Sequence, residues 1–314
     1  MNLPSFAEVR DAAARIAPHA LVTPVMRSDR IDALVGAPIV FKCENLQRGG
    51  AFKYRGATNA VWSLTEDEAV RGVVTHSSGN HGNALAMAAR TRGIPAHVVV
   101  PEGAVKAKLD AIVAAGATLH RCEATTAARE AKAAEVQAQT GATLVHPYAD
   151  ARVMAGQGTV VPEMLRQALG LDTVLVPVGG GGLASGCAIA AHGIDPSIVV
   201  LAAEPEGADD AARSLEAGAR VGSFTPHTIC DGLRTLIGEP NFHALRDHGV
   251  RVLRVSDAET IAAMRLLWTE LRLVVEVSSA TVLAAALRYP QYLAGRRTGA
   301  VLTGGNVDID ALPW

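Results

Sequence analysis

The alternation of apolar and polar positions changes its period along the chain, and each period predicts its own elements. Ser5 followed by Glu8 has the spacing of a capping box, and Val9, Ala13 and Ile16 then recur on one face, which predicts an opening helix. Ile39, Val40 and Phe41 form a short apolar run that predicts a strand. From residue 71 the pattern becomes regular. Strand-like runs at 73–75, 98–100, 118–120 and 143–145 alternate with alanine-rich helical stretches near 81–92, 104–115 and 126–140. A long helix is predicted over about 153–169. A second series then places strands at 173–178, 198–203 and 300–303, with helices around 182–192, 257–272 and 278–289. Alternation at this spacing implies right-handed crossovers between parallel strands. Two such series predict an α/β protein with two doubly wound domains, parallel-type sheets and a cleft between them. The expected division assigns 1–70 and 150–314 to a large domain and 71–149 to a small one.

Composition narrows the function classes. The 314 residues are 49% hydrophobic and 19% charged, which excludes disorder. A net charge of −2 without a basic run gives no reason to bind nucleic acid or an anionic membrane. Aromatic residues make up only 4%, too few for platforms that stack single-stranded bases. No uninterrupted apolar run approaches a membrane span, and Glu8, Arg10 and Asp11 break the first apolar stretch, so neither a span nor a signal peptide is expected. Cys43, Cys122, Cys187 and Cys230 lie far apart with no CxxC pair. They read as reduced packing residues of a cytoplasmic protein.

Five segments carry candidate chemistry. In GGAFKYRGA (49–57), Lys53 stands at a loop-to-helix junction, where Arg48, Arg55 and partial burial are expected to lower its pKa and make it a nucleophilic amine. A solvated lysine at a helix start is the plainer alternative. HSSGNHGN (76–83) lies between a predicted strand and helix, a turn suited to a carboxylate or another anion, or simply an ordinary βα loop. VPVGGGGLASG (176–186) places four glycines before a helix, where converging N–H groups suit a phosphate. The same stretch matches the relaxed dinucleotide fingerprint, with Glu204 downstream in the position of a ribose-binding acid. A nicotinamide oxidoreductase is therefore a rival, although it leaves Lys53 and the Ser/Asn loop unexplained. EPEGADD (204–210) offers either oxygens for a hard cation or a helix cap from Asp209 or Asp210, and the local pattern favours the cap. TGGNVD (303–308) is a strand-end turn that says little alone.

Together these segments resemble the fold type II family of pyridoxal-phosphate enzymes, which is tryptophan synthase β-like in fold. The similarity is to its serine/threonine dehydratase and serine racemase branch, which includes the hydroxyaspartate dehydratases. The resemblance implies that Lys53 carries pyridoxal 5'-phosphate, Phe52 lies against its ring, Asn80 meets its phenolic oxygen, and Gly179, Gly180, Gly181 and Gly182 hold its phosphate. Thr303 would meet the pyridine nitrogen, and the loop from Ser77 through Ser78 and Asn80 to His81 would hold the substrate carboxylate. It also reverses the reading of the acidic turn, making Glu204, Ala208 and Asp210 ligands of Mg²⁺, Ca²⁺ or Mn²⁺. A homodimer is likewise expected, with the cofactor bound in the large domain.

The implied reaction is deamination of L-serine, L-threonine or 3-hydroxyaspartate to a 2-oxo acid and ammonia, with Lys53 as general base. A hydroxyl at the pyridine nitrogen weakens the electron sink and favours loss of the β-hydroxyl over racemisation. Ser78 retains the group that a racemase uses on the opposite face, so racemisation is the alternative. A catalytically silent amino-acid-binding protein is a more distant one. Tyr148 and the closing DALPW (310–314) look like hydroxyaspartate dehydratases, and Arg129 is a candidate for a second substrate carboxylate or a plain surface residue. EVSS (276–279) lacks the proline that this family turn usually carries, and Ala51 stands where many racemases have serine. The chain ends soon after Asp310, so no C-terminal regulatory domain is expected.

Overall fold

The computed structural model describes residues 3–314. The strands of the first half are β1 (Val25–Met26), β2 (Ile39–Cys43), β3 (Val73–His76), β4 (Ala96–Pro101), β5 (Thr118–Cys122) and β6 (Thr143–Leu144). Those of the second half are β7 (Thr173–Pro177), β8 (Val199–Pro205), β9 (Arg251–Val255) and β10 (Thr298–Leu302). One sheet has the order β1-β2-β10-β7-β8-β9, parallel except for β1, and the other has the fully parallel order β5-β4-β3-β6. Every residue of β7 and β10 is buried, as expected for central parallel strands covered on both faces.

Helices before β7 are α1 (Phe6–Ile16), α2 (Asp29–Val35), α3 (Lys53–Trp62), α4 (Glu66–Arg71), α5 (Asn80–Arg92), α6 (Lys106–Ala114), α7 (Thr126–Thr140), α8 (Ala151–Gly158) and α9 (Val160–Gln167). After it come α10 (Gly182–Ile194), α11 (Asp210–Ala217), α12 (Glu239–Asp247), α13 (Asp257–Leu271) and α14 (Val277–Arg288). The capping box of Ser5 and Glu8 opens α1, whose buried face is Val9, Ala12 and Ile16, one position off the expected Ala13. Helices α5 and α7 end on Gly93 and Gly141 in the left-handed conformation.

The single helix expected over 153–169 is two, α8 and α9, meeting at Thr159. Pro162 lacks an N–H, and its ring clashes with the carbonyl four residues earlier, which ends the first helix at Gly158. The larger sheet is covered on one face by α1, α9, α10 and α12 and on the other by α2, α13 and α14. Helix α3 packs instead with α5 and β4 in the core beside the four-stranded sheet, so Lys53 starts a helix at the seam between the two cores.

Candidate active site

Four adjacent strands of the large sheet, β2, β10, β7 and β8, run parallel, and their carboxyl ends carry Lys53, Thr303, the glycine run and the acidic turn in that spatial order. The chain order is different, so the sheet brings these segments together. Backbone bonds then stitch the lysine segment to the end of β10. Phe52 N–H donates to Thr303 O at 2.9 Å, Gly305 N–H donates to Gly50 O at 2.9 Å, and Ala51 bridges Gly304. Gly50 has φ +71°, and a Cβ there would stand 2.4 Å from Asn306 Oδ1, so this turn requires glycine.

The Lys53 side chain is half-buried, and its amine donates to Pro147 O at 3.2 Å and lies 4.9 Å from the centre of the Phe52 ring. Burial pulls its pKa down to about 8, against the upward pull of Glu276. Of the two expected causes, burial lowers the pKa and the neighbouring arginines do not, since Glu44 and Glu163 hold the Arg55 guanidinium in ion pairs.

Glu276 is the residue whose importance sequence reasoning missed. It is buried, and both its oxygens accept from Asn80 Nδ2 at 3.1 Å. Burial pushes its carboxyl up to about 7, opposed by the Asn80 amide. Asn80 Oδ1 accepts from Asn306 Nδ2 at 2.9 Å, so the first residue of α5 is fixed from two sides. The only local signal was an acidic residue just before an alanine-rich helix, read as a departure from a family turn. Thr303 Oγ1 lies 3.0 Å from Ser279 Oγ, which also bonds Gly304 N and O at 2.7 Å. Ser77 and Ser78 are partly exposed in the loop before α5, where Gly79 N–H donates to Ser77 Oγ at 3.4 Å.

The glycine run is buried, yet the N–H groups of Gly179, Gly180 and Gly181 donate to no acceptor among the described residues. Buried unpaired amides at the start of α10 are a cradle for an anion. Gly181, at φ +91°, caps that helix, and a Cβ on Gly180 would meet the Tyr148 ring at 2.4 Å. Burial and then the charge of Glu130 raise the Tyr148 pKa. His146 stands edge-on to Tyr148 at 4.6 Å, its pKa lowered to about 4 by burial and the nearby His76.

Two candidates sit differently from the rest. The His81 ring is buried with Nε2 3.4 Å from Val145 O, so its side chain faces the small sheet and leaves the backbone as what it offers a ligand. Arg129 is on the first turn of α7, bonded to Thr125 O and Thr126 Oγ1, with no carboxylate partner among the described residues. Its charge nonetheless acts on His76 and Tyr148.

In the acidic turn neither Asp209 nor Asp210 caps α11 through its side chain. Glu204 does so from the end of β8, accepting from Ala211 N at 3.0 Å and Ala212 N at 2.9 Å. Asp210 Oδ2 accepts from Ile237 N at 2.7 Å, while the buried Oδ1 has no partner among the described residues. Burial raises the Glu204 pKa well above the carboxylate range and that of Asp210 to about 6. The orphaned Asp210 oxygen, in a desolvated carboxylate whose charge acts on a second one at Glu204, fits a divalent cation. The set is small, since no three His, Cys, Asp or Glu side chains converge among the described residues, and the Ala208 carbonyl would have to serve.

A half-buried low-pKa lysine, a phosphate-type amide cradle and a hydroxyl at a strand end fit pyridoxal 5'-phosphate, which Lys53, Gly179 to Gly182 and Thr303 would hold. Comparison with known proteins agrees. Residues 16–304 match the Pyridoxal-phosphate dependent enzyme family, and the chain belongs to that family. It is 47% identical to the beta-hydroxyaspartate dehydratase of Paracoccus denitrificans (strain Pd 1222), over 100% of both chains. It is 45% identical to the serine racemase of Arabidopsis thaliana, over 97% of this chain and 93% of that one. Among solved structures, maize serine racemase superposes with a TM-score of 0.96 at 44% identity, covering 98% of this chain and 95% of the other.

Proposed function

We propose that the enzyme is a dehydratase that converts a β-hydroxy-α-amino acid to a 2-oxo acid and ammonia, with 3-hydroxyaspartate preferred over L-serine and L-threonine. Bound pyridoxal phosphate supplies the electron sink that makes the α-proton acidic. The chain supplies the rest. With a pKa of about 8, roughly a quarter of the Lys53 amine is unprotonated at pH 7.5, so Nζ is ready to take that proton. Amides at the start of α5 receive the α-carboxylate, and Asn80, braced by Glu276 and Asn306, orients the cofactor ring. Loss of the α-proton and β-hydroxide, as water, leaves an enamine whose hydrolysis gives the oxo acid and ammonia.

The preference for a second carboxylate rests on one observation. Arg129 has no carboxylate partner among the described residues, and its charge reaches Tyr148, where it opposes that of the neighbouring Glu130. The relative named as a beta-hydroxyaspartate dehydratase supports this reading. Racemisation is the second reading, favoured by the retained Ser78. The neutral hydroxyl of Thr303 argues for elimination, because it carries no charge that would keep a ring nitrogen protonated, and the sink would then be weak. Mg²⁺, or Ca²⁺ or Mn²⁺ in its place, would occupy Glu204, Ala208 and Asp210. A homodimer in the cytoplasm completes the proposal, the setting in which four free cysteines stay reduced.

Oxo-acid release and chiral amino-acid analysis across 3-hydroxyaspartate, L-serine and L-threonine test it together. The expected result is oxo acid as the main product and at least about tenfold higher kcat/KM for 3-hydroxyaspartate, a difference of about 1.4 kcal/mol. Ser78→Ala should remove any D-product and spare most elimination. A dominant D-amino acid product would overturn the dehydratase assignment, and equal rates with serine would overturn the substrate preference.

A further inference from the structure

Behind the glycine run lies a buried amide that no part of the reaction described above uses. Asn241, in α12, is fully buried. Its Nδ2 donates to Tyr148 O at 3.1 Å and to Ser185 Oγ at 3.2 Å, and lies 3.2 Å from Met154 Sδ. Its Oδ1 has no partner among the described residues. Flipping the amide would set that oxygen against the Tyr148 carbonyl, so the donor orientation is forced. A Cβ on Gly181 would stand 2.6 Å from the Asn241 Cβ, which places this side chain directly under the loop.

The surrounding backbone makes Asn241 the end of a strut. Asp210 Oδ2 holds Ile237 N at 2.7 Å, and the next residue, Gly238, donates its N–H to Gly180 O at 3.1 Å. Gly238 must itself be glycine, since a Cβ would meet Asn241 Oδ1 at 2.3 Å. The segment from Ile237 to Asn241 therefore touches the acidic turn at one end. At the other it touches the glycine loop, the first turn of α10 and the Tyr148 backbone.

We propose that Asn241 is a positioning residue for the cofactor phosphate, clamping the Tyr148 carbonyl to the first turn of α10 so that the glycine-loop amides converge on one anion. The proposal rests on reading that loop as the phosphate cradle. An untethered Tyr148 carbonyl is a buried acceptor without a donor, and the segment that it belongs to covers Gly180 and Gly182. Releasing it lets the loop amides lose their common focus. The phosphate then suffers, whereas the ring and its aldehyde do not.

The test compares pyridoxal 5'-phosphate with phosphate-free pyridoxal, each titrated into the apoenzyme and followed by visible absorbance. Wild type should bind the phosphorylated form far more tightly. Asn241→Leu, close in size but without a donor, should weaken pyridoxal 5'-phosphate by about tenfold and leave pyridoxal unchanged. Asn241→Ser, which keeps a short donor and disturbs packing less, should fall between them and keeps the test available if the leucine variant fails to fold. Equal weakening of both ligands, or no weakening of either in a folded variant, would overturn the role of Asn241. Failure of wild type to discriminate the two ligands would instead overturn the phosphate reading of the loop, and this proposal with it.

Discussion

Arg55→Met should strip a buried charge network of its centre. Arg55 is 1% exposed and pairs with Glu44 through Nε at 2.8 Å and Nη2 at 2.7 Å. It also bonds Glu163 at 2.8 and 3.1 Å. Lys42, fully buried, bonds Glu163 as well, so two cations balance two carboxylates. Burial opposes ionisation of Glu163, yet Arg55 and Lys42 hold its carboxyl below the ordinary value. After the substitution Glu163 keeps Lys42, but Glu44 keeps only the Thr23 hydroxyl. Stranding one buried charge costs about 3–5 kcal/mol. For 314 residues unfolding together, the melting entropy is about 0.7 kcal/mol per degree, so Tm should fall by about 5–8 °C. Calorimetry of the holoenzyme at pH 8 reads it directly. The double variant Glu44→Met with Arg55→Met removes both partners and should recover most of the loss. A Tm within 2 °C of wild type at pH 8, or no recovery in the double variant, would refute this account.

Other substitutions reach the site itself. Glu276→Gln removes the charge that lifts the Lys53 amine, so its pKa should drop below about 8. Competitive acylation of the apoenzyme across pH 6–10 checks this, and an unchanged or raised value would count against it. Arg129→Leu should raise KM for 3-hydroxyaspartate about tenfold, the worth of one charge-assisted bond, and leave L-serine kinetics intact. Parallel losses for both substrates would show a structural role instead. Removing divalent cations with a chelator should lower Tm and Mg²⁺ should restore it, since a buried Asp210 oxygen then loses its partner. Indifference to both, with no metal by elemental analysis, would dismiss the cation site.

What was legible in the sequence was local. The capping box of Ser5 and Glu8, the strand-helix alternation and the four glycines before α10 depend on residues within a turn or two of each other. What was hidden depends on long-range pairing. The carboxylate that fixes Asn80 lies 196 residues away, and Arg55 is neutralised by Glu44 together with Glu163, 108 residues downstream. Burial lowers the lysine pKa as expected, whereas the help expected from Arg55 followed from sequence proximity alone. Strand β9 also went unseen. Its Arg251-Val252-Leu253-Arg254-Val255 is an edge strand with charge at alternate ends, too polar to stand out beside β7. The break between α8 and α9 was readable from Pro162, and the apolar period across it masked the signal.

The geometry of the site is a matter of strand register more than of helix composition. Thr298, Gly299 and Ala300 of β10 face Thr173, Val174 and Leu175 of β7, and Leu302 faces Cys43 of β2. Thr303 is the first residue past that ladder, and its carbonyl receives Phe52 N–H, which fixes where Lys53 begins its helix. Side chains alternate faces along a strand, so a one-residue slip of β10 would turn the Thr303 hydroxyl away from the cleft and move the Lys53 anchor with it. Such a slip is opposed on both sides, because β10 is buried throughout and lies between two partners. The site thus takes its precision from the most deeply packed strand of the sheet. Arg129, which we propose distinguishes one substrate from another, stands on a helix outside that ladder, where substitution leaves the reacting centre in place.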